Sequence, residues 1–262
     1  MTRPAILVTG GATRIGAAIV SGFAEAGWHV VIHYGTSADA AEALAQTLPS
    51  AETVQCDLAD DAAAAAMIER LAARLGDWRC LVNSASVFEY DGADDCDRQI
   101  YARAMQVNAL APARMAQAFL AHATSEAQRV VIQITDMKIE NSNPDFFSYT
   151  MSKHALAATI PMLAKSTAGS TSRIYGLAPG AILASHDQRE DETEISHRLN
   201  LLERKTDADE IVDAALFLAS GDLRSGSTLF IDSGQHLLDQ DRDVIWLARE
   251  KARGAQGGAA RS

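Results

Sequence analysis

A chain of 262 residues with 48% hydrophobic content is long enough to bury one sizeable core, and α/β domains of this size commonly fold as one unit. The net charge of −11 excludes the clustered Lys and Arg surface that a nucleic-acid backbone requires. The chain carries neither an apolar run of about 18 residues nor an N-terminal leader pattern, so the expectation is a soluble cytoplasmic protein, free of membrane, that acts on a small molecule.

Short apolar, β-branched runs recur at 5–10 (AILVTG), 29–34 (HVVIHY), 52–56 (ETVQC), 80–84 (CLVNS), 129–135 (RVVIQIT), 172–178 (SRIYGLA) and 228–233 (TLFIDS), predicting seven strands. Segments with apolar residues at helical spacing separate them, among them 14–27, the Ala-rich 60–75 and 148–166, where Pro161 predicts a kink or interruption. Continuous apolar strands alternating with helices predict a Rossmann-type, doubly wound parallel sheet in a single α/β domain spanning residues 1–252. A charged stretch, 185–205, follows the sixth strand's APGAIL. It lies where such sheets bind ligands and reads as either a solvated helix face or a lid that closes on substrate. Residues 253–262 (RGAQGGAARS) read as a disordered tail. Cys56, Cys80 and Cys96 have no zinc spacing and are odd in number, so buried or unreactive thiols are expected, with no metal and no disulfide framework.

The first strand leads through VTGGATRIG into a helix. Gly10, Gly11 and Gly16 there permit a tight turn that turns backbone N–H groups and a helix N-terminus toward a phosphate. The second strand ends in HYGTS, without the acid that holds an NAD ribose; His33, Thr36, Ser37 and Arg14 offer donors instead, which predicts NADP(H). A partly buried strand histidine is the competing reading of His33.

Tyr149 and Lys153 stand four apart on a helical pattern, sharing one face. The phenol can protonate a substrate as hydride arrives, provided its pKa falls from about 10 toward neutrality, which a nearby ammonium favours.

Taken together, TGGATRIG (9–16), CDL (56–58), VNSAS (82–86), QVNA (106–109), YTMSK (149–153), APG (178–180) and IDSGQHL (231–237) resemble the short-chain dehydrogenase/reductase family over roughly residues 5–236. The resemblance implies catalytic roles for Tyr149 and Lys153, and a water-ordering role in proton relay for Asn108. It implies cofactor contacts from Gly10, Arg14, Ile15 and Gly16, from His33, Tyr34, Thr36 and Ser37, from Asp57 and Leu58 beside the adenine, and from Asn83, Ser84, Ala85, Tyr149, Lys153, Pro179 and Gly180. It also implies a homotetramer or homodimer.

Two positions depart from the general pattern: Arg14 replaces the middle glycine of the turn, and Asp136 replaces the catalytic serine. Both resemble the branch of pteridine and dihydromonapterin reductases, as does Phe88 in NSASVF, where that branch stacks an aromatic on the pterin. Two other features fit less well: HYGTS lacks an arginine that some pteridine reductases place there, and Ser84 stands where many family members carry a second asparagine. The branch implies a substrate site of Arg14, Ser86, Phe88, Asp136 and Tyr149. A carboxyl suits it chemically, because reducing a C=N bond places the proton on nitrogen. Plainer readings stand beside these: Asp136 as a turn cap, Phe88 as core, Arg14 as a cofactor contact alone. The activity expected is NADPH-dependent reduction of a dihydropterin; the alternatives are a carbonyl or 3-oxoacyl reductase and a non-catalytic NADP-binding sensor.

Overall fold

The computed structural model describes residues 3–184 and 188–259, without the side chains of 254–259. The apolar runs form β1 (Ala5–Thr9), β2 (His29–Tyr34), β3 (Ala51–Gln55), β4 (Trp78–Asn83), β5 (Arg129–Ile134), β6 (Ser172–Pro179) and β7 (Thr228–Ile231). Between and after them lie α1 (Arg14–Glu25), α2 (Ala38–Thr47), α3 (Asp61–Ala72), α4 (Arg98–Met105), α5 (Ala111–His122), α6 (Phe147–Ser166), α7 (Glu190–Ser196), α8 (Ala208–Ala219) and α9 (Val244–Ala259).

The strands pair in the order β3-β2-β1-β4-β5-β6-β7, all parallel. Because successive strand residues face opposite ways, the apolar runs feed two cores. Ile6 and Val8 pack with Ile19, Val20 and Phe23 of α1 and Ile211 and Leu218 of α8; Leu7 packs with Met67 and Ile68 of α3 and Met115 and Phe119 of α5. Both faces are thereby covered, which is why the strands read as unbroken apolar stretches. The order reverses at β1, whose neighbours are β2 and β4, so the crevice opens at the C-terminal ends of these strands.

The interruption expected at Pro161 needs correction. Helix α6 runs through Pro161 without interruption: Pro161 is exposed, so the carbonyl deprived of its donor can turn to water. Helix α9 runs to Ala259, into the stretch expected as a tail; 260–262 lie outside the described residues. Cys56 and Cys80 are buried and Cys96 is exposed, so burial, one of the two alternatives expected, holds for the first two.

Part of the charged 185–205 stretch, 185–187, also lies outside the described residues. The remainder contains α7, which packs against α9. Its Glu192, only 4% exposed, pairs with Arg189 at 3.2 Å and with Arg249 of α9 at 3.5 Å. Among the described residues, no helix is long and apolar enough to cross a membrane.

Candidate active site

The turn after β1 is built from close contacts. Gly10 has φ +63°, and a Cβ on Gly16 would overlap the carbonyl oxygen of Gly10, so the helix start lies directly against the turn. The first turn of α1 carries no acidic residue, and the side chain of Thr13 does not cap it. Its N–H groups and dipole thus remain available to an anion, a cradle that fits the phosphates of a dinucleotide.

His33 sits beneath this turn rather than beside a 2′-phosphate. It is 2% exposed; Nδ1 accepts from the Gly10 N–H at 3.2 Å, and Nε2 lies 3.0 Å from the Cys56 carbonyl. A carbonyl can only accept, so Nε2 carries the proton and both ring nitrogens are committed. Burial also lowers the pKa to about 4, leaving the ring neutral. The expected donor role is therefore corrected to that of a buttress. Thr36 and Ser37 stand exposed beyond β2 and Tyr34 is half-buried, with no acid before Asp39.

Arg14 occupies a left-handed conformation, φ +55°, which explains why a glycine would suit the position. Its guanidinium donates to the carbonyls of Ala184 at 2.9 Å and Leu183 at 3.3 Å. It thus reaches the loop after β6.

A cavity of about 560 Å³ opens at the strand ends, bordered by Arg14, Ser86, Phe88, Asp136, Tyr149 and Lys153. Gly10, Ile15, Gly16, Ser84, Ala85, Pro179 and Gly180 also border it. Other expected residues do not. Asn83 is buried and its amide donates to Pro112 O at 3.2 Å and Gln133 Oε1 at 2.9 Å, so it braces the sheet. Leu58 is buried in the core, and the carboxylate of Asp57 accepts from the Ala59 N–H at 2.9 Å. Asn108 lies in a π-helical turn, Gln106–Leu110, and acts as a clamp: it accepts from Val87 N–H at 2.8 Å and donates to Val87 O at 2.9 Å and Ser152 Oγ at 3.0 Å.

The chemistry is concentrated where β5 ends against α6. The Tyr149 hydroxyl donates to Asp136 Oδ2 at 2.6 Å, and Asp136 Oδ1 accepts from the Lys138 N–H at 2.9 Å. Asp136 is thus a turn cap and a partner of the phenol at once. Lys153 Nζ donates to the Ile134 carbonyl at 2.9 Å and lies 5.5 Å from the Tyr149 ring centroid. Phe88 stacks on Phe146 with centroids 4.1 Å apart and meets Tyr149 edge-on at 4.7 Å, so it borders the cavity and packs in an aromatic cluster simultaneously.

Electrostatics here run opposite to the expected fall in the phenol's pKa. Burial first, then the charge of Asp136, hold Tyr149 well above its usual value. Burial raises the Asp136 carboxyl too, opposed by the Tyr149 hydrogen bond and by Lys138 and Lys153. Burial brings Lys153 down to about 8, with Asp136 opposing. Removing the phenol's proton would set a second negative charge beside the carboxylate, so Tyr149 stays protonated in the resting site.

Several cavity or supporting residues escaped sequence reasoning. Thr9 Oγ1 accepts from the N–H groups of Ser84 (3.0 Å) and Ala85 (3.1 Å), tying the loop after β4 to β1. Thr9 and Ser152 sit inside quoted motifs and were findable there. Lys138, His197 and Asp243 border the cavity with no local signal to mark them.

The family model described as enoyl-(acyl carrier protein) reductase matches residues 10–236. Short-chain dehydrogenase reductase 3a of Arabidopsis thaliana is 30% identical, with 87% of this chain and 93% of that protein covered. Dihydromonapterin reductase of Citrobacter koseri is 24% identical over 88% of this chain and 96% of its own length. The crystal structure of FolM alternative dihydrofolate reductase 1 from Brucella canis, complexed with NADP, superposes with a TM-score of 0.85 at 32% identity, covering 92% of this chain and 96% of that one.

Proposed function

The chain belongs to the short-chain dehydrogenase/reductase family, and on that premise we propose that it is an NADPH-dependent reductase of a dihydropterin, of the dihydromonapterin or dihydrofolate type. The observation that carries this reading is the 2.6 Å bond between Tyr149 and Asp136 in a cavity also bordered by Phe88 and Arg14. NADP(H) is supported by the glycine turn, by the acid-free end of β2, and by the NADP in the Brucella structure.

NADPH, when bound, supplies the hydride. Tyr149, which its raised pKa keeps protonated until hydride arrives, gives the proton to the ring nitrogen next to the reduced carbon. Asp136, hydrogen-bonded to the phenol and held above the ordinary carboxylate range, takes up a proton from solvent and passes it to the phenol oxygen. The Lys153 ammonium offsets the charge that develops on the phenol oxygen. Phe88 offers a face for a flat ring, and Arg14 a charge at the cavity mouth. The stretch carrying α7 serves as a lid that excludes water. Exposed Met151 and Met162 on α6 fit burial against a second copy, in a homodimer or homotetramer.

A second reading, a carbonyl or 3-oxoacyl reductase, draws support from the acyl substrate in the matching family model's description. The deciding experiment follows NADPH absorbance with dihydromonapterin, dihydrobiopterin and dihydrofolate beside simple ketones and a 3-oxoacyl thioester. Oxidation with a dihydropterin supports the first reading; turnover of ketones or thioesters alone moves the protein to the second.

A further inference from the structure

Lys138 and Asp243 form an ion pair at 2.7 Å with side chains 3% and 5% exposed, and both residues border the cavity. Lys138 lies two residues after Asp136 and its own N–H holds Asp136 Oδ1, so the ion pair begins on the turn that carries the carboxyl. Its ammonium also donates to Asn143 Oδ1 at 3.1 Å and lies 5.8 Å from the Phe146 ring centroid. Asp243 lies beyond residue 236, where the family match stops, and its Oδ1 accepts from the Ile245 N–H at 2.9 Å at the start of α9.

The two segments are joined a second time nearby. Arg242 binds Asp145 through two bonds, at 2.8 and 2.9 Å, and Asp145 also accepts from the Asp243 N–H at 2.8 Å. A fork of this kind fixes direction as well as distance. The C-terminal segment is therefore held against the turn between Asp136 and Phe146, and its Val244 and Ile245 complete one wall of the cavity.

We propose that Lys138 and Asp243 are positioning residues for the proton-donating pair: the ion pair fixes the turn that aims Asp136 at Tyr149, making the C-terminal segment part of the reaction's machinery. The proposal rests on the reductase reading and deepens it. The buried charge supports the geometry, since Asp243 helps to raise the phenol's pKa and Lys138 opposes the rise at Asp136. The ionisable groups around the phenol are Asp136 after β5, Lys138 on the turn, Lys153 on α6, and Asp243 before α9. His197 after α7 borders the same cavity, and Asp91 binds the N–H of Ser148 at the start of α6 at 2.9 Å.

The test compares wild type, Asp243→Asn, Lys138→Arg and the double variant Lys138→Met with Asp243→Asn, all as full chains. Asparagine can keep the bond to Ile245, and the double variant leaves no buried charge unpaired, so folded protein remains available if a single variant unfolds. Two readouts are taken: kcat against pH with the substrate that wild type reduces, and phenol ionisation by tyrosine absorbance without substrate, with Tyr149→Phe identifying the signal. Expected in Asp243→Asn and in the double variant is a kcat lower by about tenfold, with NADPH binding within about twofold, and an altered phenol titration. Lys138→Arg should recover most of kcat. Unchanged kcat, pH profile and phenol titration in folded double variant would overturn the proposal. If wild type reduces ketones and no pterin, the substrate reading fails while the ion pair is still judged, through the ketone and the substrate-free titration.

Discussion

Tyr149 donates its hydroxyl to Asp136 at 2.6 Å, from the first turns of α6 to the residue two beyond the end of β5. This contact places the acid in direct reach of the proton that the proposed reaction uses. Tyr149→Phe should therefore lose roughly 10²- to 10⁴-fold in kcat while NADPH binding stays within about twofold. Fluorescence titration of NADPH beside steady-state turnover checks this; wild-type turnover in the variant would remove Tyr149 from the mechanism.

The same contact sets the pH dependence. Both members of the pair titrate above their ordinary values, and reduction needs their protons. Activity should hold on the acid side and fall as pH climbs through the titration of the pair. In Asp136→Asn, which cannot titrate, the limb due to the carboxyl should vanish and kcat should drop. A pH profile of kcat/KM that rises into alkali would contradict this assignment.

Arg14 sits at φ +55° with its guanidinium on Leu183 and Ala184. Arg14→Gly should relieve about 1–2 kcal/mol of backbone strain, offset by roughly 0.5–1 kcal/mol of extra unfolded-chain entropy. We expect equal or slightly greater thermal stability together with a substrate KM raised about tenfold. Equal KM with higher stability would restrict Arg14 to an architectural part.

His33 gives a stability prediction with a definite sign. Its folded pKa, about 4, lies below the ordinary value of 6.5, so between those limits the unfolded chain binds more protons. Stability thus rises with pH across this window and is lost on acidification, by up to about 3 kcal/mol. Urea unfolding of wild type against His33→Gln between pH 6.5 and 4 measures it. Parallel slopes would mean that the histidine is protonated in the fold.

The exposed Thr36 and Ser37 at an acid-free strand end predict preference for NADPH over NADH, and Ser37→Asp should shift the KM ratio toward NADH by at least about tenfold. Equal use of both cofactors by wild type would argue that neither residue meets a 2′-phosphate.

What could be read from sequence shares one property: the signal is local. The strands of the sheet are runs of five or so adjacent residues, the glycine turn is one short motif, and Tyr149 and Lys153 are a single helical step apart. The expectation for Asp136 comes from the resemblance, through its place before that step. Pro161 does not interrupt α6, an outcome that depends on which side of the helix faces solvent.

By itself, then, the sequence determined the parallel α/β architecture, the glycine turn and the placing of Tyr149 and Lys153 on one helix face, since each follows from periodicity or motif chemistry within a few residues. Only the tertiary structure decided that His33 props the turn, that Asn83 braces β4 against β5, and that Lys138 meets Asp243. Those outcomes depend on burial and on contacts between distant positions. Whether a polar side chain offers its hydrogen bonds to a ligand or spends them inside the fold is settled by its neighbours in space.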